Sequence, residues 1–230
     1  MANKKSVTIL SLGGSLIYPD DKPDTRFLKS FRDLILRRVR RGERFAIITG
    51  GGKVCRKYQG AAAKIRPMST EELDWLGIHV THLNAHFVQT LFGDQAHPHI
   101  VTNPTEKISL RRPILLGAGW KPGCSTDYDT VLLAKNLGSS TIINLTNIDY
   151  VYDADPRRNP SAKPIKLLTW RELRKMFGTE WKPGLNSPFD PVAAKQAERL
   201  GLRVITTNGK KLKNLEKILD GQPFRGTTIE

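Results

Sequence analysis

The sequence predicts an α/β protein, a three-layer α/β/α sandwich built on a mainly parallel central sheet. Three observations carry that expectation. Short apolar runs alternate with longer amphipathic stretches along all 230 residues, an order that gives parallel strands covered by helices on both faces. Two of the apolar runs empty into glycine, as "SLGGS" at residues 11–15 and "TGGGK" at residues 49–53. Ligands of such sheets bind beyond the strands' carboxyl ends, where both clusters fall. Finally, no repeat, linker or low-complexity stretch divides the chain, which is long enough for one core.

Each element has a local cause. Residues 7–12 read as a strand. Residues 25–41 follow as a helix, with Phe27, Leu28, Phe31, Leu34, Ile35 and Val39 on one face, Asp24 as N-cap and Gly42 as its stop. A strand at 45–49 leads into a helix at 53–63. The longer helix at 70–91 is opened by the capping box Ser69 to Glu72. A strand at 114–117, a helix at 127–137 stopped by Gly138 and a strand at 141–145 come next. The loop "DADPRRNPSAKP" at 153–164 is the longest punctuation and a flap candidate. Thr169 and Glu172 form a second capping box, followed by a helix at 191–200, a strand at 202–206, a helix at 212–219 and a closing strand at 226–229.

Composition narrows the function classes. No window approaches the roughly 18 uninterrupted apolar residues of a membrane span. The two cysteines, Cys55 and Cys124, form no metal-type pair or disulfide framework, which fits a reducing compartment. With an N-terminus lacking a cleavage pattern, they make a cytoplasmic location the expectation. Thirty-seven Lys+Arg against 22 Asp+Glu leave a net charge of +15, a field that attracts nucleotides and other polyanions. The densest basic run, "LRRVRRGER" at 36–44, reads mainly as solvated surface at a helix end. Two familiar phosphate loops are excluded by spacing. "GGGKVC" lacks GxxxxGK[ST], and "GAGWKPG" has its glycines at the wrong interval for GxGxxG.

Five segments remain together, each at a strand end or a helix start: 11–15, 50–58, 117–130 ("GAGWKPGCSTDYDT"), 144–156 ("NLTNIDYVYDADP") and 184–195 ("GLNSPFDPVAAK"). In this order they resemble the amino acid kinase family, and within it the archaeal-type uridylate (UMP) kinases. The likeness runs over nearly the whole chain, and the 144–156 segment is its most specific part. It implies a single domain over 1–230, with an acceptor lobe at about 1–138 and an ATP lobe at about 139–230. It also implies transfer of the ATP γ-phosphoryl group to UMP, Mg²⁺ as a cofactor and a homo-oligomer, usually a hexamer. Phosphoryl transfer of this kind needs positioning and electrostatic stabilisation more than covalent chemistry.

The same resemblance assigns residues. Ser11, Leu12, Gly13, Gly14 and Ser15 fall at the ATP phosphates, where glycine amides can cradle an anion. Gly51 matches a UMP contact, and Gly52 and Arg56 match ATP contacts. Lys53 is a further cation at the mouth, and basic groups on a first helical turn oppose the dipole unless something anionic compensates. Asp74 matches the acid that grips the UMP ribose, and Trp120, Lys121, Pro122, Gly123, Cys124, Ser125 and Thr126 match the loop that closes on UMP. Thr146, Asn147, Tyr152 and Asp155 match the nucleoside end of the ATP site. Asp127 reads as an organiser of nearby lysines, as a Mg²⁺-linked acid, or as a helix cap. No residue is assigned as a direct protein ligand of a metal. His79, His82 and His86 share a helix face with Trp75 and fit a subunit contact better than a metal.

The chain departs from the family at one point. Ser11 stands where many relatives carry lysine, and a second family lysine has its place near Phe189 and Asp190. Lys5, Lys53 and Arg56 are the candidate cations, with Lys53 and Asp127 taken as catalytic. Sibling phosphate or carboxylate kinases and a non-enzymatic oxoanion or nucleic-acid binder are the alternatives. The charge alone keeps nucleic acid open as a partner, and the motifs do not call for it.

Overall fold

A computed structural model describes residues 7–156, 158–179 and 187–230. Lys5 and residues 184–186 of the fifth motif lie outside the described residues. The elements run β1 (Val7–Leu12), α1 (Gly14–Ile17), α2 (Thr25–Arg40), β2 (Arg44–Thr49), α3 (Gly52–Ile65), α4 (Thr70–Phe92), β3 (Ile114–Gly117), α5 (Thr126–Leu137), β4 (Thr141–Thr146), β5 (Val151–Tyr152), β6 (Pro164–Ile165), β7 (Leu167–Leu168), α6 (Trp170–Phe177), α7 (Pro191–Arg199), β8 (Arg203–Asn208), α8 (Leu212–Leu219) and β9 (Thr227–Ile229). The expected alternation is present, with ends shifted by a residue or two. Four short elements were not expected. These are α1, β7, and the β5–β6 hairpin that roots the 153–164 loop.

The main sheet has seven strands in the order β3-β2-β1-β4-β8-β9-β7. All its pairings are parallel except β8 with β9. Alternation sorts its side chains into two cores. Ile9, Ala46, Ile48, Ile142 and Val204 face α5, α6 and α7. Leu10, Leu12, Phe45, Ile47, Ile143 and Leu145 face α1, α2, α4 and α8. The helix α2 buries Phe27, Leu28, Phe31, Leu34 and Ile35 there, each worth about 1.5–3 kcal/mol. Asp24 caps it by accepting from Phe27 N at 3.0 Å. Both capping boxes form, and Gly138 closes α5 with φ 70°.

The basic run at 36–44 departs from expectation in one residue. Arg38 is buried, paired with Glu43 at 2.8 Å and with Asp220 at 2.5 Å. It ties α2 to the end of α8 instead of facing solvent. No helix among the described residues is long and apolar enough to cross a membrane.

On the face toward α5 and α7 the sheet changes character along its strands. The apolar row Ile9–Ile142–Val204–Ile229 gives way, two residues on, to Ser11–Asn144–Thr206–Thr227. All four are buried. This polar row leads to the carboxyl ends of β1, β4 and β8, where the site is built.

Candidate active site

Gly13 and Gly14 join the two halves of the site. A Cβ on Gly13 would lie 2.9 Å from Leu145 O and 4.0 Å from Thr146 Cα. One on Gly14 would lie 2.4 Å from Gly50 O and 2.5 Å from Gly52 N. Gly52 has φ +64°, and its own Cβ would meet Gly14 C at 2.5 Å. Only residues without side chains let the ends of β1, β2 and β4 approach this closely. The first glycine turn therefore touches the start of the 146–156 segment on one side and the second glycine turn on the other. Strand-end hydrogen bonds fix the arrangement, Gly13 N donating to Leu145 O and Gly50 N to Leu12 O, each at 3.0 Å.

Those bonds decide which backbone groups of this turn are already engaged. The Gly13 amide is consumed by Leu145, which leaves the amides of Gly14 and Ser15, the first of α1, as anion donors on this turn. Leu12 is fully buried in the core with its carbonyl accepting from Gly50 N. Ser11 is buried in the polar row beneath.

The second glycine turn opens a cavity of about 160 Å³. Two helix faces form its walls. From α3 come Gly52, Cys55, Arg56 and Gln59, and from α4 come Asp74, Gly77, Ile78 and Thr81, each set at i, i+3, i+4, i+7 spacing. Gly119 and Cys124–Ser125–Thr126 of the 119–126 loop complete the lining. α3 has no fully buried residue because its inner face borders this cavity instead of core. Asp74 is 8% exposed and its Oδ2 accepts from Gly123 N at 2.8 Å, leaving Oδ1 for a ligand's hydroxyls. Burial pushes the thiols of Cys55 and Cys124 up from their ordinary value, so both stay protonated at neutral pH.

The 119–126 loop is held from several sides. Gly119 N donates to Thr81 Oγ1 at 2.8 Å, and His82 Nε2 lies 2.8 Å from Gly119 O. Trp120 N donates to Asp129 Oδ2 at 3.1 Å. Ser125 caps α5 by accepting from Tyr128 N. The loop also divides in orientation. Cys124, Ser125 and Thr126 face Asp74, whereas Trp120, Lys121 and Gly123 line a neighbouring cavity of about 420 Å³ with Asp190. Cys124 and Ser125 border both. Lys121 Nζ sits 4.0 Å above the Trp120 ring, a cation–π contact. Pro122 lines neither cavity.

Three carboxylates gather behind this loop. Asp127 Oδ2 accepts from Asp190 N at 3.0 Å, and burial pushes its carboxyl up to about 7, with the Asp190 charge adding to the rise. Asp129 is 2% exposed and also raised to about 7, chiefly by burial. Asp190 caps α7 by accepting from Ala193 N. Among the described residues Asp129 Oδ1 and Asp190 Oδ2 are buried without a hydrogen-bond partner, although the nearby Ser125 hydroxyl favours the charged Asp190 carboxylate. No lysine reaches Asp127 among the described residues; its polar contact is the Asp190 amide.

Lys53 lies outside the cavity lining, paired with Asp20 at 3.2 Å. Lys57 pairs with Asp21 in the same loop. The anionic compensation expected for the basic start of α3 is thus supplied by the chain itself. Arg56, by contrast, lines the cavity with Asp74.

On the far side of Gly13 a cavity of about 820 Å³ is lined by Thr146, Asn147, Tyr152 and Asp155, all four residues assigned to the nucleoside end. Asp149 and Asn208 also line it. Sequence reasoning left these two out. Asp149 accepts from Asn208 at 3.0 Å and from Lys211 Nζ at 2.6 Å, and the Lys211 bond holds its carboxyl below the ordinary value. Gln59, Gly77, Thr81, Asp129 and the inner role of Cys55 were missed as well. The shared helical spacing of residues 52/55/56/59 and 74/77/78/81, with few large apolar groups, was the one available signal.

Two cavities thus lie on either side of a glycine bridge at the carboxyl edge of a parallel sheet. The profile of the amino acid kinase family matches residues 6–208, and the chain belongs to that family. A uridylate kinase of Thermococcus onnurineus (strain NA1) is 35% identical over 226 residues, covering 96% of this chain and 98% of that one. One of Pyrococcus abyssi is 34% identical with the same coverage. The crystal structure of uridylate kinase from Archaeoglobus fulgidus superposes with a TM-score of 0.81 at 28% identity, covering 98% of this chain and 100% of that one.

Proposed function

We propose that this chain is a uridylate kinase, which transfers the γ-phosphoryl group of ATP to UMP to give UDP and ADP, with Mg²⁺ as cofactor. The observation that carries the reading is the contact of Gly14 with Gly50–Gly52, which sets the two cavities on either side of one glycine bridge. Transfer needs the donor's terminal phosphate and the acceptor's phosphate in line, and little else from the protein beyond orientation and charge.

In this reading the larger cavity takes the ATP nucleoside through Thr146, Asn147, Tyr152 and Asp155, and the smaller takes UMP. Asp74 Oδ1 accepts from the ribose hydroxyls. The amides of Gly14, Ser15 and Gly52 meet phosphate oxygens, and Thr126 donates its hydroxyl to the acceptor phosphate. Arg56 supplies a bidentate cation at the junction. Lys53 joins it by exchanging Asp20 for phosphate, a swap between exposed partners that costs little. The donor set suits Mg²⁺. Asp127 and Asp190 offer hard oxygens, including Asp190 Oδ2, which lacks a hydrogen-bond partner among the described residues, and Mg²⁺ is commonly held by one or two carboxylates plus substrate phosphates. When bound, the ion neutralises charge on the transferring phosphates.

The acceptor and ATP lobes divide at about residue 138, and the protein works as a homo-oligomer, a hexamer as in many relatives, in the cytoplasm. Exposed apolar side chains on α3 and α4 support assembly: Ile65 is 85% exposed, Leu83 65% and Trp75 41%, the last stacked on His79. Light scattering after size exclusion tests it; a monomer at micromolar concentration sinks it.

A coupled ADP-release assay with UMP, CMP, AMP and isopentenyl phosphate as acceptors tests the activity. UMP turnover should dominate. A preference for any other acceptor overturns the reading.

A further inference from the structure

The acceptor cavity has a polar group at its far end to which no role has been given. Gln59 lies on the inner face of α3, two turns beyond Gly52, and lines the cavity with Asp74 and Gly77. Its Nε2 donates to Leu73 O at 2.8 Å, which fixes the amide plane and leaves Oε1 as its acceptor. Gly77 permits this. A Cβ there would stand 3.3 Å from Gln59 Nε2 and 3.1 Å from Cys55 Sγ, so a side chain would press on both residues that floor this end.

Seven residues of helix separate Gly52 from Gln59, about 10 Å along the axis, which is the span of a nucleoside monophosphate from phosphate to base edge. A phosphate at the Gly52 amide and a ribose on Asp74 therefore direct the base toward Gln59. We infer that Gln59 is a specificity-determining residue of the acceptor site, its Oε1 accepting the N3–H of uracil. This inference rests on the uridylate kinase reading above.

The chemistry discriminates between pyrimidines. Uracil carries a hydrogen on N3, whereas cytosine presents a bare N3 lone pair, so two acceptors would face each other. Sliding the cytosine amino group into place would draw the ribose off Asp74. Removing one partner of such a contact costs more than the contact gains, because the other group is left desolvated and unpaired.

The test compares kcat/KM for UMP, CMP and N3-methyl-UMP in the wild-type protein and in Gln59→Met, a change close in volume. In the wild type, N3-methyl-UMP should be turned over at least 5- to 10-fold less efficiently than UMP, roughly one hydrogen bond's worth. In Gln59→Met the UMP/CMP preference should fall by a similar factor and the N3-methyl penalty should shrink, while KM for ATP moves less than twofold. A UMP/CMP ratio unchanged within twofold in the variant overturns the assignment. So does wild-type enzyme that accepts N3-methyl-UMP as readily as UMP, a result that needs no variant to fold. Wild-type protein that phosphorylates neither UMP nor CMP would instead remove the kinase reading, and this assignment with it.

Discussion

Gly14 and Gly52 face each other across the site with no room for a single methyl group: a Cβ on Gly14 would come within 2.5 Å of Gly52 N, and one on Gly52 within 2.5 Å of Gly14 C. The obstructing atoms are backbone, which cannot rotate away. This contact joins the strand ends that carry the larger cavity to those that carry the smaller one.

Gly14→Ala should therefore separate the two cavities. We expect kcat/KM to fall by about 100-fold or more, since misplacing reacting groups by about 1 Å costs on that order. Stability should drop by about 1–3 kcal/mol from overpacking. Steady-state kinetics alongside urea unfolding measure both. An active, equally stable variant would show that the turns can part without consequence.

Asp74 holds Gly123 N with one oxygen, and in the proposed reading the other receives the acceptor's hydroxyls. Asp74→Asn can keep the first contact and weakens the second. KM for UMP should rise about 10-fold with KM for ATP little changed, as expected for loss of a hydrogen bond involving a charged group. Equal effects on both substrates would move Asp74 out of the acceptor site.

The two cations near the bridge should differ in weight. Arg56 borders the cavity, whereas Lys53 is 48% exposed in its side chain and paired with Asp20. Arg56→Met should cut kcat/KM by about 100-fold, the cost of losing a strong transition-state contact. Lys53→Met should cost several-fold. The reverse ranking would make Lys53 the principal cation.

Burial raises the Asp129 carboxyl to about 7 in the folded chain, against about 3.9 unfolded. For a raised acid the contribution to stability is fully present below the unfolded value and is lost as pH rises through the folded one. Across that window Asp129 should therefore remove on the order of 2–4 kcal/mol of stability from the nucleotide-free protein. Asp129→Asn, which keeps an acceptor for Trp120 N, should flatten the decline. Chemical denaturation at pH 4, 5.5 and 7 measures it, and parallel profiles for the two proteins would refute it.

Chelation should abolish turnover without loosening the fold. In the uridylate kinase reading Mg²⁺ enters with the nucleotide, held by substrate phosphates together with Asp127 and Asp190. EDTA should leave the melting temperature of the nucleotide-free protein within about 1 °C, while Mg²⁺ with ATP raises it by mass action. A large EDTA-induced drop would reveal a resident structural ion.

Much of this was legible in the sequence because its causes are local. Ser69 with Glu72 and Thr169 with Glu172 announce helix starts within four residues, and both boxes form. The apolar face of α2 could be read from its spacing alone. Thr146, Asn147, Tyr152 and Asp155 sit in one segment, and they line one cavity. Reading failed where a group's partner is remote in sequence. Nothing near Lys53 marks Asp20 as its partner, and nothing near Gly13 says that its amide is spent on Leu145. Asp129 looked like any acid in a helix's first turn until Trp120 N was found on it.

By itself the sequence determined the order and type of the main elements, the two glycine-ended strands and the family, since periodicity, capping and glycine placement act over a few residues. Only the tertiary structure decided which amides stay free, that the inner face of α3 borders a cavity instead of core, and that Gln59 lines that cavity with its amide nitrogen held by Leu73 O. Those outcomes are settled by competition for hydrogen bonds and space among residues tens of positions apart, which no local pattern encodes.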